Sequence, residues 1–460
     1  MASFYVENFG CRATQADGAA IERQLEERGL ERAEVRAQSE IVILNTCTVT
    51  ASADHDARAA IRRIRRENPG CQIVVTGCYA QRAPQEVAAL PGVNRVIGNS
   101  HKHQLAEIVA ASRLHDEAAS IATHPGFVPL SSLAPERQRD IFVSDIFAHT
   151  ELLAAPVFDG AVPGTNNDRT RPNLKIQDGC DNRCSFCVIP YVRGQSRSLP
   201  LRQILREVNA LVDSGYREVV ISGINLGRWG RDLAQPLRFE DVVGEILGQT
   251  NLEKLRISSV EPMDWSDQLI RMMANSPRIA KHAHVPLQSG SDRVLRAMHR
   301  KYRPWHYRER LEKIRAAMPT AAIGADVMVG FPDEREPDFE ETRLLIEELP
   351  FTYLHVFTYS SRPGTPAAAV RDQVPVQIAR ERNRVLRDLA AEKKLAFMQT
   401  FVGKTVEAIT LNVFAGGSTE SLTDNYLKLR LRGQHAANQW VKARVERVET
   451  GALMAVSETA

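Results

Sequence analysis

The chain has 460 residues, 43% of them hydrophobic, and sets 59 Lys and Arg against 56 Asp and Glu for a formal charge of +3. A balance this close to neutral excludes a uniformly basic nucleic-acid binder and a disordered polyelectrolyte, so any nucleic-acid footprint has to be local. No apolar run approaches the ~18 residues of a membrane span and Met1 to Gly10 carries no targeting pattern, which predicts a soluble, cytoplasmic chain of roughly three domains.

Residues 1 to 115 alternate strand and helix patterns. Phe4 to Gly10, Ile41 to Thr46 and Gln72 to Gly77 read as strands, and the last two are continuous β-branched runs, which suits a parallel sheet covered on both faces. Cys11, Cys47 and Cys78 directly follow these strands. All three thiols are thereby predicted at the carboxyl edge, where open α/β sheets build their sites, and can converge on one cluster. Cys71 precedes its strand, so it should lie roughly 20 Å from Cys78 at ~3.3 Å per residue, as a structural or surface thiol. Gly10 to Gly29 is helical in pattern, with Gly29 as the stop. A second helix, Asp54 to Glu67, carries Arg58, Arg62, Arg63, Arg65 and Arg66, which form either a solvated face or a surface for phosphates. Seven cysteines is an odd number at low density, which implies no disulfide framework and a reducing compartment.

Pro125, Pro129, Pro135, Pro156 and Pro163 mark residues 116 to 169 as a linker, with one strand-like run at Asp140 to Val143. Residues 170 to 400 hold six strand-like runs, each followed by a helical stretch: Leu174 to Asp178, Glu218 to Asn225, Lys254 to Glu261, His282 to Gln288, Ala322 to Gly330 and Tyr353 to Tyr359. Six βα units make an incomplete barrel with a lateral mouth and its site at the carboxyl ends of the strands. Cys180, Cys184 and Cys187 follow the first of these strands directly. A structural zinc normally takes four protein ligands, whereas a four-iron cluster on three cysteines keeps one iron open for an external chelator. Around the same rim Phe186, Gly223, Asn225, Ser259, Glu261, Gln288 and Ser289 outline a cofactor pocket, glycine allowing close backbone approach. Beside the mouth lies a strongly basic helical segment, Arg293 to Arg315, with Arg296, Arg300, Lys301 and Arg303 as candidate phosphate contacts.

The last 60 residues change character. Thr405 to Val413, Tyr426 to Gly433, Gln439 to Glu449 and Ala452 to Glu458 alternate apolar and polar, which predicts a small antiparallel β-barrel. Its strands carry Lys428, Arg430, Arg432, Lys442 and Arg444, a set suited to RNA.

Cys-x3-Cys-x2-Cys with an aromatic before the last cysteine resembles the radical S-adenosylmethionine (radical SAM) signature. The whole chain resembles the methylthiotransferases of that class, through Phe9-Gly10-Cys11, Asn45-Thr46-Cys47-Thr48-Val49-Thr50, Thr76-Gly77-Cys78-Tyr79-Ala80-Gln81 and Cys187-Val188-Ile189-Pro190-Tyr191-Val192-Arg193-Gly194. The resemblance implies an α/β fold in three parts: an N-terminal domain (1–115) whose Cys11, Cys47 and Cys78 hold an auxiliary 4Fe-4S cluster, a partial (β/α)6 radical SAM barrel (170–400) whose Cys180, Cys184 and Cys187 hold a second, and a C-terminal TRAM domain (401–460) that binds RNA. It also implies S-adenosyl-L-methionine as cofactor, tRNA as partner, a flavodoxin- or ferredoxin-like electron donor and a sulfur donor. Thr46 to Thr50 with Ala53-Asp54, and Lys175 to Cys180, are most similar to the branch that methylthiolates C2 of N6-threonylcarbamoyladenosine at position 37 beside the anticodon, although Ala13-Thr14 stand where that branch usually has Val-Asn. An adenine C2–H is an unactivated bond that no side chain of ordinary pKa deprotonates usefully, so a radical rather than an acid/base residue is expected to act. The alternatives are methylthiolation of N6-isopentenyladenosine or of a ribosomal-protein side chain, and, in another class, a non-catalytic iron-sulfur RNA-binding or redox-sensing protein.

Overall fold

A computed structural model describes residues 2–111, 140–149, 152 and 170–458. Most of the predicted linker, 116–169, lies outside the described residues. The described residues fall into two compact units, one drawn from 1–156, 179–181 and 188–197, the other from the remainder.

In the first unit β1 (Ser3–Asn8), α1 (Arg12–Glu26), β2 (Glu31–Arg32), β3 (Ile41–Thr46), α2 (Ala51–Glu67), β4 (Gln72–Gly77), α3 (Cys78–Arg82), α4 (Pro84–Ala89), β5 (Val93–Gly98) and β6 (Asp140–Phe142) build a sheet of order β2-β1-β3-β4-β5-β6. Every pairing is parallel. Alternate residues of one strand serve opposite faces: Val42, Leu44, Ile73 and Val75 pack with Ile61 and Ile64 of α2, while Ile41, Ile43 and Val74 pack with Ile21 and Leu25 of α1. Burial on both sides explains why these strands read as unbroken apolar runs. Cys71 is buried in the first of these cores, which makes it structural rather than a surface thiol. The run at Asp140 is the sixth strand of this sheet and not a feature of a linker. Three arginines of α2 are occupied within the unit: Arg58 by Tyr79 and Glu86, Arg63 by Glu7, and Arg65 by the carbonyls of Pro69 and Gly92. The helix is therefore mainly an intramolecular anchor, and only Arg62 and Arg66 keep the solvated character expected of its exposed face.

In the second unit the six expected strands are β7 (Asn173–Asp178) and, after a two-residue β8 (Arg197–Ser198), β9 (Glu218–Gly223), β10 (Lys254–Ile257), β11 (His282–His284), β12 (Ala322–Val329) and β13 (Tyr353–Thr358). β7, β9 and β10 lie side by side in parallel, as do β11, β12 and β13. A bridge between Leu255 and Ile279 joins the two sets, and among the described residues no ladder joins β7 to β13. That is the lateral gap an incomplete barrel leaves. Along the strands one set of alternate positions is apolar, and the other is polar yet buried: Lys175, Gln177, Ser222, Arg256, His282 and His284. The basic segment is two helices, Asp292–Ala297 and Pro304–Ala317, not one. Pro304 opens the second because its missing N–H costs nothing at a helix start, and His299 takes a left-handed φ of 58° between them.

The terminal barrel has five strands, one more than expected: β14 (Thr405–Ala415), β15 (Ser418–Thr423), β16 (Lys428–Arg432), β17 (Trp440–Glu449) and β18 (Ala452–Ser457), closed in the order β14-β15-β16-β18-β17. Its ladders are antiparallel except β16 with β18, which run parallel. Leu429, Leu431, Val445 and Leu453 fill it, and Met398 and Phe401 at the end of helix Val376–Gln399 plug into the same core. A buried pair pins the barrel to β10: Arg256 Nε lies 2.6 Å from Glu218 Oε1, and the same guanidinium donates to the carbonyls of Thr423 and Asp424.

Candidate functional site

Two separate thiol-bearing sites emerge, and the first lies where the order of the N-terminal sheet reverses. The connection from β1 leads to β2 on one side while β3 lies on the other, so a crevice opens at the carboxyl ends of β1 and β3. Cys11 and Cys47 follow those two ends, and Cys78 follows neighbouring β4. Gly10, at φ +100°, permits the approach: a Cβ there would stand 2.9 Å from the Cys47 sulfur. Gly77, at φ +97°, would set a Cβ 2.3 Å from the Thr46 carbonyl oxygen, so it too must lack a side chain. Cys11 is exposed, Cys47 and Cys78 buried. Burial pushes the Cys47 thiol up to about 12, with the neighbouring Cys78 and Cys11 adding to the rise and Arg193 opposing it. The three expected residues are thus brought together.

Beside them is a buried charge cluster that sequence reasoning missed. Asp17 of α1 holds both Lys102 Nζ (2.9 Å) and Arg193 Nη2 (3.0 Å), and all three are almost wholly buried. Burial lowers the Lys102 pKa even though Asp17 favours its charge. Two cations on one carboxylate leave positive charge next to three thiols, which favours whatever anionic form they adopt. Asn99 ties the same region together, its Nδ2 donating to Cys78 Sγ (3.5 Å) and to the Val192 carbonyl (2.7 Å). The loop after Cys47 is clamped internally: Thr48 Oγ1 donates to Asp54 Oδ1 (2.5 Å), Arg82 donates to both, and Thr50 Oγ1 caps α2 through the Ala53 N–H.

The second site is the loop after β7. The Cys180 N–H donates to the Gly194 carbonyl (3.0 Å), and Gly179 is required because a Cβ would meet the Gln195 carbonyl oxygen at 1.8 Å. Further along, the Cys187 N–H donates to the Cys184 carbonyl (3.1 Å). Ser185 holds this part of the loop against helix Asp292–Ala297, its Oγ donating to the Ala297 carbonyl (2.7 Å) and its N–H to that of Met298 (3.1 Å). Phe186 packs edge-on against Phe331 at 6.4 Å.

Arg300 donates to Cys184 Sγ at 3.3 Å and is paired with Glu261. It is 7% exposed, so it is no surface phosphate contact, contrary to the expectation for its segment. The remaining charges of that segment are also largely taken, Arg293 by Asp333 and Asp338 and both Arg296 and Arg303 by Asp292. Burial opposes the Arg300 charge, but Tyr302, Glu261 and Cys184 outweigh it and hold the pKa above its ordinary value.

Of the other rim residues, Gln288 is the most telling. It is 9% exposed, its Oε1 has no hydrogen-bond partner among the described residues, and its φ of +64° is a left-handed conformation that a non-glycine residue rarely adopts. An orphaned buried acceptor on a strained backbone is the kind of group a bound ligand satisfies. The Asn225 N–H donates to Gln177 Oε1 (2.7 Å), and a Cβ at Gly223 would stand 2.8 Å from that same oxygen, so the turn after β9 closes on β7. Ser259 is half-buried at the end of β10. Ser289 is fully buried and shares a hydrogen bond with Thr342 Oγ1 (3.2 Å), which engages it structurally.

Residues 3–98 match the model of the uncharacterized protein family UPF0004, and residues 174–346 match that of the radical SAM superfamily. Over 438 residues, 94% of this chain and 91% of the relative, the sequence is 35% identical to the threonylcarbamoyladenosine tRNA methylthiotransferase MtaB of Bacillus subtilis. Over 417 residues, 88% of this chain and 77% of the relative, it is 34% identical to the tRNA-2-methylthio-N(6)-dimethylallyladenosine synthase of Nocardia farcinica. Among solved structures, the radical SAM methyltransferase TsrM from Kitasatospora setae superposes with a TM-score of 0.56 at 16% identity, covering 80% of this chain and 77% of that one, a likeness of fold.

Proposed function

Because the chain belongs to the radical SAM methylthiotransferases, enzymes that use S-adenosyl-L-methionine and 4Fe-4S clusters, we propose that it places a methylthio group on C2 of N6-threonylcarbamoyladenosine at position 37 of tRNA. The observation that carries this reading is the end-to-end match to relatives named for that nucleoside, 94% of the chain against 91% of the B. subtilis protein, whereas the dimethylallyladenosine relative is matched over 77% of its length.

The residues present fit the two clusters. Cys11, Cys47 and Cys78 offer three sulfurs beside a net-positive buried network, and Cys184 offers a sulfur already hydrogen-bonded by a buried arginine, with Cys180 and Cys187 completing the second set. When bound, these groups supply homolytic chemistry able to remove a hydrogen from an sp2 carbon, together with the sulfur and methyl that replace it. The protein's own share is placement. Phe186, Gly223, Asn225, Ser259, Glu261, Gln288 and Ser289 are assigned to the S-adenosylmethionine pocket, where the unpartnered Gln288 Oε1 awaits a donor and Ser289 steadies the turn. Arg300 holds Cys184 and Glu261 in one orientation.

In this reading residues 1–115, together with the strand Asp140–Phe142, form the methylthiotransferase domain, the rest of 116–169 a linker, 170–400 the radical SAM domain and 401–460 a TRAM-type RNA-binding domain. Its partners are tRNA, a low-potential flavodoxin- or ferredoxin-like electron donor and a sulfur donor, and its place is the cytoplasm. No helix of the described residues is long and apolar enough to cross a membrane. Nucleoside mass spectrometry on a deletion strain tests the assignment. Loss of the methylthiolated threonylcarbamoyl nucleoside, with its precursor accumulating, is expected, and an unchanged nucleoside profile rejects it.

A further inference from the structure

The parallel strands β11, β12 and β13 bring three metal-ligating side chains together on one face, none of them part of the sites described above. In their register His284 stands opposite Gly324 and Asp326 opposite His355, and Gly324 in turn stands opposite Tyr353. Positions two apart share a face, so His284, Gly324, Asp326, Tyr353 and His355 all belong to the same side of the sheet. Gly324 makes the arrangement possible, because a Cβ there would stand 1.9 Å from the Tyr353 ring. That ring shares a 2.7 Å hydrogen bond through its hydroxyl with His282 Nε2 and packs against both other imidazoles, with centroids 6.0 Å from His284 and 5.3 Å from His355.

His355 Nδ1 lies 3.3 Å and His284 Nε2 lies 3.4 Å from the same oxygen, Asp326 Oδ1. Both separations exceed the span of about 2.7–3.2 Å usual for an N–H···O bond. His284 is nine-tenths buried, and its Nε2 has no hydrogen-bond partner among the described residues. Zinc holds imidazole and carboxylate at about 2.0–2.1 Å, which sets the ligands of a tetrahedral site about 3.3–3.4 Å apart, whereas octahedral ligands at that distance stand only about 2.9 Å apart. The two observed edges match the tetrahedron. All three ligand atoms lie within 4.8 Å of one another, so a turn of the exposed His355 ring closes the edge between the two imidazoles. Two imidazoles and one carboxylate suit an ion of the zinc class better than calcium or magnesium, which take oxygen ligands. His355 also lines a cavity of about 530 Å³, which gives an ion a way in and leaves a fourth position open to water.

We propose that His284, Asp326 and His355 form a divalent metal site of the zinc class, separate from both cysteine sets, which ties β11, β12 and β13 together and keeps one coordination position open. The orphaned His284 nitrogen carries the argument, since a buried acceptor without a partner is what a metal ion satisfies. Tyr353 serves the site by fixing the planes of the two ligating rings, and His282 fixes Tyr353 in turn.

Holoenzyme with its iron-sulfur clusters assembled is dialysed against Zn²⁺ at free concentrations set by a chelating buffer. Elemental analysis then counts zinc and iron, and zinc K-edge absorption reads the ligands. The expected result is about one zinc per chain beside the iron, bound through nitrogen and oxygen alone. His284→Ala and Asp326→Asn should each weaken zinc binding by about 100-fold or more with iron unchanged, since altering even a partner of a metal ligand costs roughly 10- to 100-fold. His355→Cys, at an exposed position, should keep the zinc and add one sulfur at about 2.3 Å to its ligands, a change that misfolding does not produce. Sulfur ligands on the zinc of wild type would assign the ion to the cysteines and overturn the proposal. Equal zinc affinity in wild type, His284→Ala and Asp326→Asn would overturn it too, as would a wild type that takes up no zinc or a His355→Cys variant whose zinc gains no sulfur.

Discussion

Arg300 Nη1 lies 3.3 Å from Cys184 Sγ, and its other amino nitrogen is held by Glu261, so a largely buried cation is locked against one sulfur of the central cysteine loop. A positive hydrogen-bond donor at a cluster sulfur stabilises the reduced, more negative state. Arg300→Met should therefore move the midpoint of the central cluster to more negative potential and slow reductive cleavage of S-adenosylmethionine by roughly 10- to 100-fold, with partial recovery in Arg300→Lys. A redox titration followed by spectroscopy, run beside a cleavage assay, reads both. An unmoved potential with slowed cleavage would assign Arg300 to substrate placement instead.

The two thiol sets should be separable. Replacing Cys11, Cys47 and Cys78 with Ala should reduce iron from about eight to about four atoms per chain, retain cleavage and abolish sulfur insertion. Cys71→Ala should leave iron at about eight while lowering stability by roughly 1 kcal/mol, the cost of trimming one buried atom in a packed core. Iron analysis and a denaturation curve are sufficient. A Cys71→Ala protein with half its iron would mean that the ligand set is wrong.

Thiol reactivity in the iron-free protein should follow the geometry. The thiolate is the nucleophile, and with its pKa pushed up to about 12 the Cys47 thiol is ionised to about one part in ten thousand at pH 8. Cys11 is exposed and should alkylate well before Cys47 and Cys78. Peptide mass spectrometry over a time course reads the order, and simultaneous labelling of the three would contradict the buried geometry.

Arg256 and Glu218 should behave as a structural pair. Glu218→Ala leaves a buried guanidinium without its carboxylate and should cost about 3–5 kcal/mol. Burial acts to raise the Glu218 pKa, but Arg256 outweighs it and the net shift is downward. The pair's contribution is thus present above the ordinary glutamate pKa and lost as pH falls through the lower folded value. Wild type should lose stability on acidification where Glu218→Ala, already lacking the pair, changes less. Denaturant midpoints at several pH values measure this.

The same pair decides how the terminal barrel can be tested. Deleting 401–460 removes the Thr423 and Asp424 carbonyls from Arg256 and exposes Met398, so that deletion perturbs the central domain as well as RNA binding. Point changes are cleaner. Lys442 and Arg444 are exposed on β17, and each Ala substitution should flatten the log-log salt dependence of tRNA binding by roughly 0.7 to 0.9 without affecting iron content. Filter binding at several salt concentrations decides the matter, an unchanged slope rejecting these residues as phosphate contacts.

Much of this architecture was legible because the strands of a two-sided sheet are continuous apolar runs and because cysteine is rare enough for its position to mean something. All six central strands begin within a residue of where the pattern puts them. What escaped notice has physical reasons. β15 is Ser-Thr-Glu-Ser-Leu-Thr, small polar residues of weak apolar periodicity, and it is buried because a closed barrel supplies hydrogen-bond partners from neighbouring strands. Arg300 looked like one more charge in a basic run, since nothing in its neighbours reveals that the chain turns inward between two short helices. The run Thr48-Val49-Thr50 with Asp54, which carried the substrate resemblance, proves to clamp its own loop, and no direct contact with substrate follows from it.

The two thiol sets also differ in when they can exist. Cys180, Cys184 and Cys187 belong to one short stretch of chain, so their mutual approach is a local event open to a partly made polypeptide. Cys11, Cys47 and Cys78 become neighbours only once β1, β3 and β4 are paired and Gly10 has closed on the Cys47 sulfur. Loading a metal on that set would therefore require the sheet to be finished first, even though its strands are made before the central loop. Because binding there holds three strand ends together, its removal should loosen that edge of the sheet before any other part of the molecule gives way.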